Sequence, residues 1–323
     1  MVSANIGEEG KACNGRCYPP ENAMKQAGHG LAAVMSRREA ISAGGLAIAG
    51  AAGLASTPAP SNKIVFGADR SAYPGLNAAA PLAVGLRWYF DIENLFPAAW
   101  PNPFPGTHMT LSLRPNPHDL LSGKLNSQLR AIIDSAPAHA ELTFWHENTT
   151  GNPLHYPHYV NNASAAIRMQ HYGQGLCQGT QVRFGVITVG PANLQLGWMA
   201  SGLDWYGDDL YEFPKLRNPN GTFSKAKVIA RLNSNLHAWR KASGKRSPAI
   251  RICETNSPID SHRSELFTTI AAWIAGHNGN RILTYWNRHG GAAQGGLSGP
   301  WPPSKPVISR LRSLSEEYSG TTA

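Results

Sequence analysis

Charge is scarce in this sequence. Only 15% of its 323 residues are Asp, Glu, Lys or Arg, well under the roughly 25% of an average soluble domain. Disordered chains are rich in charge and poor in aromatics. This one holds 9 Trp, 10 Tyr and 9 Phe, which excludes that class. Cysteine is scarce too, and four residues exclude a disulfide-dense scaffold. The 33 Gly and 24 Pro follow no collagen-like period, and neither an internal repeat nor a dividing linker stands out. No apolar run reaches the roughly 20 residues of a membrane span. The 29 basic against 20 acidic residues leave a net charge of +9. They form no basic stripe interleaved with aromatics, the footprint of nucleic-acid binding, so nucleic acid is not an expected partner. The densest run, Arg240-Lys241 to Lys245-Arg246, closes a predicted helix, where cations suit the helix dipole.

The longest apolar run is Ile41 to Ala55, fifteen residues of mostly Ala, Gly, Leu and Ile. Ser36-Arg37-Arg38 precedes it and Ala55-Ser56-Thr57-Pro58-Ala59 follows. A basic pair, a short apolar core and small residues make an export signal. The paired arginines resemble the bacterial twin-arginine signal, which implies export of a folded protein to the extracellular space. The expectation is a signal over residues 1–58 and a catalytic domain over 59–323, with no membrane anchor once the signal is removed. A buried Ala/Gly-rich helix is the plainer alternative, disfavoured by its glycines. Met35 is an alternative start, and with it Cys13 and Cys17 would not belong to the protein. Those two form a C-x₃-C pair with no partner pair, so they are not read as a metal site. Without residues 1–58, which carry five basic and four acidic groups, the charge is +8.

After residue 60, short β-rich runs alternate with longer helical ones. Strands are predicted at Ile64–Ala68, Val84–Phe90, Met109–Leu113, Glu141–Trp145, Val182–Ile187, Leu203–Gly207, Ile250–Cys253 and Arg281–Trp286. Helices are predicted over Leu120–Asp134, Ala163–Cys177, Lys225–Ala242, Arg263–Ala275 and Val307–Tyr318. Eight strands with intervening helices in this length match a (β/α)₈ TIM barrel. The runner-up, a doubly wound sheet, usually carries a Gly-rich turn after its first strand, and Gly67-Ala68-Asp69-Arg70 is not one.

A barrel of this kind works at the C-terminal ends of its strands. Polar residues gather there. Arg114 follows strand three, and His146-Glu147-Asn148 follows strand four. Tyr206, Asp208, Asp209 and Tyr211 attend strand six, Glu254-Thr255-Asn256 strand seven and Trp286-Asn287-Arg288-His289 strand eight. Glu147 and Glu254 therefore face one opening. Two carboxylates, one protonated and one ionised, are the minimum equipment for glycoside hydrolysis. Trp88, Tyr89, Trp100, Trp145, Trp205 and Trp286 supply rings on which sugar faces stack.

These motifs resemble the clan A glycoside hydrolases. The resemblance implies a retaining (β/α)₈ enzyme with a general acid/base Glu at the end of strand four and a nucleophilic Glu at the end of strand seven. Here those are Glu147 and Glu254. Phe144-Trp145-His146-Glu147 is similar to the family 26 enzymes, which include endo-β-mannanases. Asp204-Trp205-Tyr206-Gly207-Asp208-Asp209-Leu210-Tyr211 is similar to their strand-six segment, implying that Tyr206 or Tyr211 hydrogen-bonds the nucleophile. Trp286 matches the ring that floors their central sugar site. The expected substrate-binding set is His146, Arg114, Tyr206, Tyr211, Trp286 and Trp88. The segment after Glu147, Asn148-Thr149-Thr150-Gly151, departs from the mannanase pattern, so the resemblance does not name the sugar.

Plainer readings stand beside these. Glu147 and Glu254 could be loop carboxylates, a single Trp could be core packing, and Arg114 could serve a structural ion pair. His146, His155 and His158 suggest zinc, but His-Glu-x-x-His is broken by Thr150. The expectation is therefore no metal and no cofactor. Strand alternation predicts that Cys253 and Glu254 point to opposite faces, with Cys253 a packed thiol. A Cys177–Cys253 disulfide is not expected. Asn148, Asn162 and Asn220 begin sequons that a bacterial-type signal makes irrelevant. The first hypothesis is a secreted, monomeric retaining glycosidase acting on a β-linked polysaccharide or oligosaccharide. A catalytically silent sugar-binding barrel and a zinc hydrolase are the alternatives.

Overall fold

Strands β1 (Val65–Asp69), β2 (Gly85–Tyr89), β3 (His108–Leu113), β4 (Glu141–Phe144), β5 (Arg183–Thr188), β6 (Trp205–Tyr211), β7 (Ala249–Asn256) and β8 (Arg281–Tyr285) close into a parallel barrel in sequence order. β8 pairs with β1 to complete the ring. The computed structural model describes residues 64–69, 85–90, 93–101, 108–138, 140–145, 163–189, 196–277, 281–285 and 304–319. The expected signal, residues 1–58, lies outside them. The described helices are α1 (Pro117–Leu121), α2 (Asn126–Asp134), α3 (Ala163–Cys177), α4 (Lys225–Ser243), α5 (Asp260–Ala275) and α6 (Lys305–Ser319). The (β/α)₈ expectation holds.

Local chemistry sets these elements. Asn116 caps α1 by accepting from the backbone N–H groups of His118 and Asp119, with Pro117 in the first turn. Gly123, at φ 79°, ends that turn in a left-handed conformation that suits glycine. The single helix expected over Leu120–Asp134 is therefore two. In α4, Val228, Leu232, Leu236 and Trp239 recur at helical spacing and are all buried. Ser224 caps its start, and Gly244, at φ 68°, its end.

β6 and β7 run further than their hydrophobic runs suggest. Asp208, Asp209 and Tyr211 lie inside β6 rather than after it, and Glu254 lies inside β7. β7 also contains a bulge. Asp208 pairs with Ile252 while Asp209 pairs with Glu254, and toward β8 Ile252 pairs with Leu283 while Thr255 pairs with Tyr285. The extra residue is Cys253. A bulge breaks the two-residue alternation. Cys253 packs inside the barrel with Ile187 and Trp205, and Glu254 also faces inward, toward Arg87. The expectation that the two point to opposite faces is thus corrected. Cys253 and Cys177 are both buried free thiols. Burial pushes Cys177 up to about 12 and Cys253 well above the ordinary thiol range.

The inward side chains form tiers. Near the N-terminal ends, Glu141 takes Arg251 Nη2 at 2.5 Å and Arg183 Nη2 at 3.0 Å, with His108 Nε2 at 3.3 Å. Ile187, Trp205 and Cys253 form an apolar tier. Toward the C-terminal ends a second polar group follows, built around Glu254. Outward residues such as Leu86, Leu111, Leu142, Phe184 and Leu283 join the large hydrophobic core shared with the helices.

Candidate active site

In β2 the sequence Gly85-Leu86-Arg87-Trp88-Tyr89 sends Leu86 and Trp88 toward the helices, and Arg87 and Tyr89 into the barrel. β6 sends Asp209 and Tyr211 inward, and the bulge in β7 adds Glu254. These five residues meet. Tyr89 and Tyr211 donate their hydroxyls to Glu254, at Oε1 and Oε2 respectively. Arg87 Nη1 donates to Asp209 Oδ1 at 2.9 Å, and its Nη2 lies 3.3 Å from Glu254 Oε1. Arg87 is 1% exposed and Glu254 4%.

Burial opposes the charge on Arg87, but the Asp209 and Glu254 carboxylates outweigh it and hold the guanidinium well above its ordinary pKa. Burial raises the Tyr89 phenol well above its usual range, and neighbouring Glu254 adds to the rise against the opposing pull of Arg87. Tyr89 is therefore a neutral donor at any working pH. Two phenols and a guanidinium around one buried carboxylate fix its orientation. Such an arrangement readies a carboxylate for attack on an electrophilic carbon.

The expected binding residues divide. Tyr211 is at the site. Tyr206 is not, because it sits on the other face of β6. Its hydroxyl donates to the Ala200 carbonyl at 2.9 Å and accepts from the Leu203 N–H at 3.1 Å, and burial pushes it up to about 12. The resemblance left Tyr206 and Tyr211 open, and alternation in β6 selects Tyr211. Trp88 stacks on Phe90, with ring centres 5.7 Å apart, and packs against the outer core. It lies on the strand face opposite Arg87 and Tyr89, which corrects its placement at the sugar site. Arg114 is buried at the exit of β3, with its guanidinium 5.7 Å from the centre of the Trp145 ring. Trp145 also donates its N–H to the Leu113 carbonyl at 2.9 Å and its indole N–H to the Pro115 carbonyl at 2.6 Å. Arg114 thus braces the residue before His146-Glu147. His146, Glu147 and Trp286 lie outside the described residues, as do His155 and His158. Among the described residues, no group of three or more His, Cys, Asp and Glu is placed to hold a metal.

Arg87 was not among the expected site residues, Tyr89 was expected only as a ring for sugar stacking, and Asp209 only as a polar residue at the end of strand six. Their signal lay in the alternation itself. Leu86, Trp88 and Phe90 share one parity, and Gly85, Arg87 and Tyr89 the other. With the apolar parity packed on helices, the polar parity must line the barrel.

No protein-family model and no curated protein matches the sequence. Solved structures do. An endo-β-1,4-mannanase double mutant from Cellulomonas fimi is 11% identical, with a TM-score of 0.52, over 82% of this chain and 74% of that one. A GH26 β-mannanase from Bacteroides ovatus is 12% identical, with a TM-score of 0.54, over 80% and 90%. Fungal β-1,4-galactanases are 13% identical, with a TM-score of 0.51, over 78% and 99%. The likeness is one of fold, and the barrel resembles those of the family 26 mannanases to which the Trp145-His146-Glu147 motif had pointed.

Proposed function

We propose that this protein is a retaining glycoside hydrolase cleaving a β-linked polysaccharide or oligosaccharide, exported folded through its twin-arginine-type signal. Glu254 attacks the anomeric carbon. Glu147 protonates the leaving oxygen and then takes a proton from the water that releases the sugar. Tyr211 orients Glu254, Trp286 floors the sugar, and His146 and Arg114 support the acid/base segment. In a retaining enzyme the two carboxyls stand about 5–5.5 Å apart.

The observation that carries this reading is the hold on Glu254. It is buried at the working end of β7 with donors on both oxygens and a guanidinium beside it. A loop carboxylate has no such shell, and a barrel that only binds sugar has no use for one. Mannanase and galactanase neighbours of the same fold support the substrate class. The low charge and the many aromatic rings suit neutral sugars. The test is activity on mannan, glucan, xylan and galactan with product sizing, for the wild type and Glu254→Gln. The expected result is turnover of at least one polymer, lost by several orders of magnitude in the variant. Undiminished turnover in Glu254→Gln would end the proposal.

A further inference from the structure

The positive charge of the chain is concentrated in one segment. Between Glu212 and Glu254 the sequence holds ten Lys and Arg and no Asp or Glu. Residues 59–323 carry +8 in all, so the rest of them is net −2. Three of the ten cations are matched by buried carboxylates: Arg217 by Glu212, Arg231 by Asp208 and Arg251 by Glu141. The other seven are exposed and gather near the two ends of α4. Lys215, Lys225 and Lys227 are at its start, on the working face of the barrel. Arg240, Lys241, Lys245 and Arg246 are at its finish, about 28 Å away at a rise of 1.5 Å per residue.

The connection from β6 to α4 is firmly built. Glu212, directly after β6, is buried. It accepts from the Ser257 hydroxyl and from Arg217 Nε at 3.0 Å, and lies 2.7 Å from His262 Nδ1. Arg217 pairs with Phe223 in an antiparallel bridge, and Lys227 Nζ donates to the Arg217 carbonyl. Phe213 is fixed within this frame. Its N–H donates to the Tyr211 carbonyl at 3.0 Å, and its carbonyl accepts from the Leu216 N–H at 2.8 Å. Its ring is nevertheless 41% exposed, with its centre 6.1 Å from that of Tyr211, whose hydroxyl reaches Glu254. A single exposed apolar residue is ordinary, and so is a solvated lysine. Here a held ring, one residue beyond the ring that touches Glu254, stands among exposed cations with no acid in the segment. A ring covers the apolar face of a sugar, and ammonium groups attract an anion.

We propose that the β6–α4 connection is a subsite for a carboxylate-bearing unit of the substrate chain, away from the point of cleavage. Phe213 is the ring on which that unit stacks, and Lys215 and Lys225 are the cations that meet its carboxylate. This rests on the glycosidase reading, and it adds acidic side groups to a chain whose reacting sugar is neutral. The cations at the far end of α4 take no part, because exposed charges are screened within about 10 Å in ordinary salt.

The test compares polymers with and without carboxylates. Glucuronoxylan and partly C6-oxidised mannan, glucan and galactan are each assayed beside the same polymer with its carboxyls reduced to alcohols. For the polymer that is turned over, wild type should show a kcat/KM about threefold to tenfold higher on the carboxylated form at low salt. That preference should vanish in 0.5 M NaCl. Lys215→Gln/Lys225→Gln should lose it. Arg240→Gln/Lys241→Gln/Lys245→Gln/Arg246→Gln removes more charge and should keep it. Phe213→Ala should raise KM for both forms about tenfold with little change in kcat, and Phe213→Trp should restore KM. Equal rates on the two forms in wild type would overturn the proposal. So would loss of the preference in the far-end variant, which would reduce it to overall charge. A fall in kcat alone in Phe213→Ala would make Phe213 a prop for Tyr211 and overturn its role as a platform. No turnover of any polymer by wild type would instead remove the glycosidase reading itself.

Discussion

Trp145 holds its backbone at φ 50°, a region that costs an L-residue with a side chain roughly 1–2 kcal/mol. Strain of this kind persists only where surroundings enforce it, and it gathers at functional sites. Here the exit of β3 enforces it through the Leu113 and Pro115 carbonyls and the Arg114 guanidinium. The strained residue directly precedes His146-Glu147 in the sequence. Replacement should reverse the usual order of small residues. Trp145→Gly should be more stable than Trp145→Ala by about 1 kcal/mol, read by urea unfolding. Both should lose activity. An alanine variant as stable as the glycine one would show that the backbone relaxes freely.

The bulge in β7 does the same work at the scale of an element. It turns Glu254 inward after Cys253 has already pointed inward, and the facing strand must make room. Gly207 provides it, since a Cβ there would lie 2.6 Å from Cys253 Sγ and 3.1 Å from the Arg251 carbonyl oxygen. Gly207→Ala should cost about 1–3 kcal/mol by overpacking and displace Glu254, lowering kcat. Adding Cys253→Ala should recover part of the stability, a coupling read from a double-mutant cycle. Additive losses would mean that the two residues do not share the space. This element also marks where the sequence stopped being legible. The eight strands were readable because their outer faces are apolar and recur between helical runs. Glu254 was readable because it follows a buried run. The bulge was not, because an extra residue leaves no trace in hydropathy and is fixed only by pairing with two neighbours. The choice of Tyr211 over Tyr206 and the inward turn of Arg87 follow from strand parity, which needs a firm register before it can be used. Once β6 is known to run from Trp205 to Tyr211, its parity separates the two tyrosines.

For the whole molecule, the barrel interior joins two buried charge clusters across an apolar tier. The lower one ties β3, β4, β5 and β7 through Glu141. Burial alone would raise the pKa of Glu141, but Arg251 and His108 override it and hold it well below the usual carboxylate range. The unfolded chain, with an ordinary Glu pKa of about 4.3, therefore binds this proton more readily than the native state does. The stability from this cluster is present above that pH and is lost as pH falls below it. Glu141→Gln leaves Arg251 buried without its partner and should cost about 3–5 kcal/mol near neutral pH. It should also flatten the acid side of the thermal midpoint plotted against pH. An unchanged acid slope would place the acid sensitivity elsewhere. The upper cluster carries the functional claim, and it stands where a (β/α)₈ barrel does its chemistry. The most direct measurement is peptide mapping by mass spectrometry of enzyme quenched during reaction with a 2-deoxy-2-fluoro glycosyl fluoride. One sugar bound covalently through Glu254 is the predicted result. A sugar carried on another residue, or turnover with inversion and no covalent adduct, would contradict the assignment of Glu254 as the nucleophile.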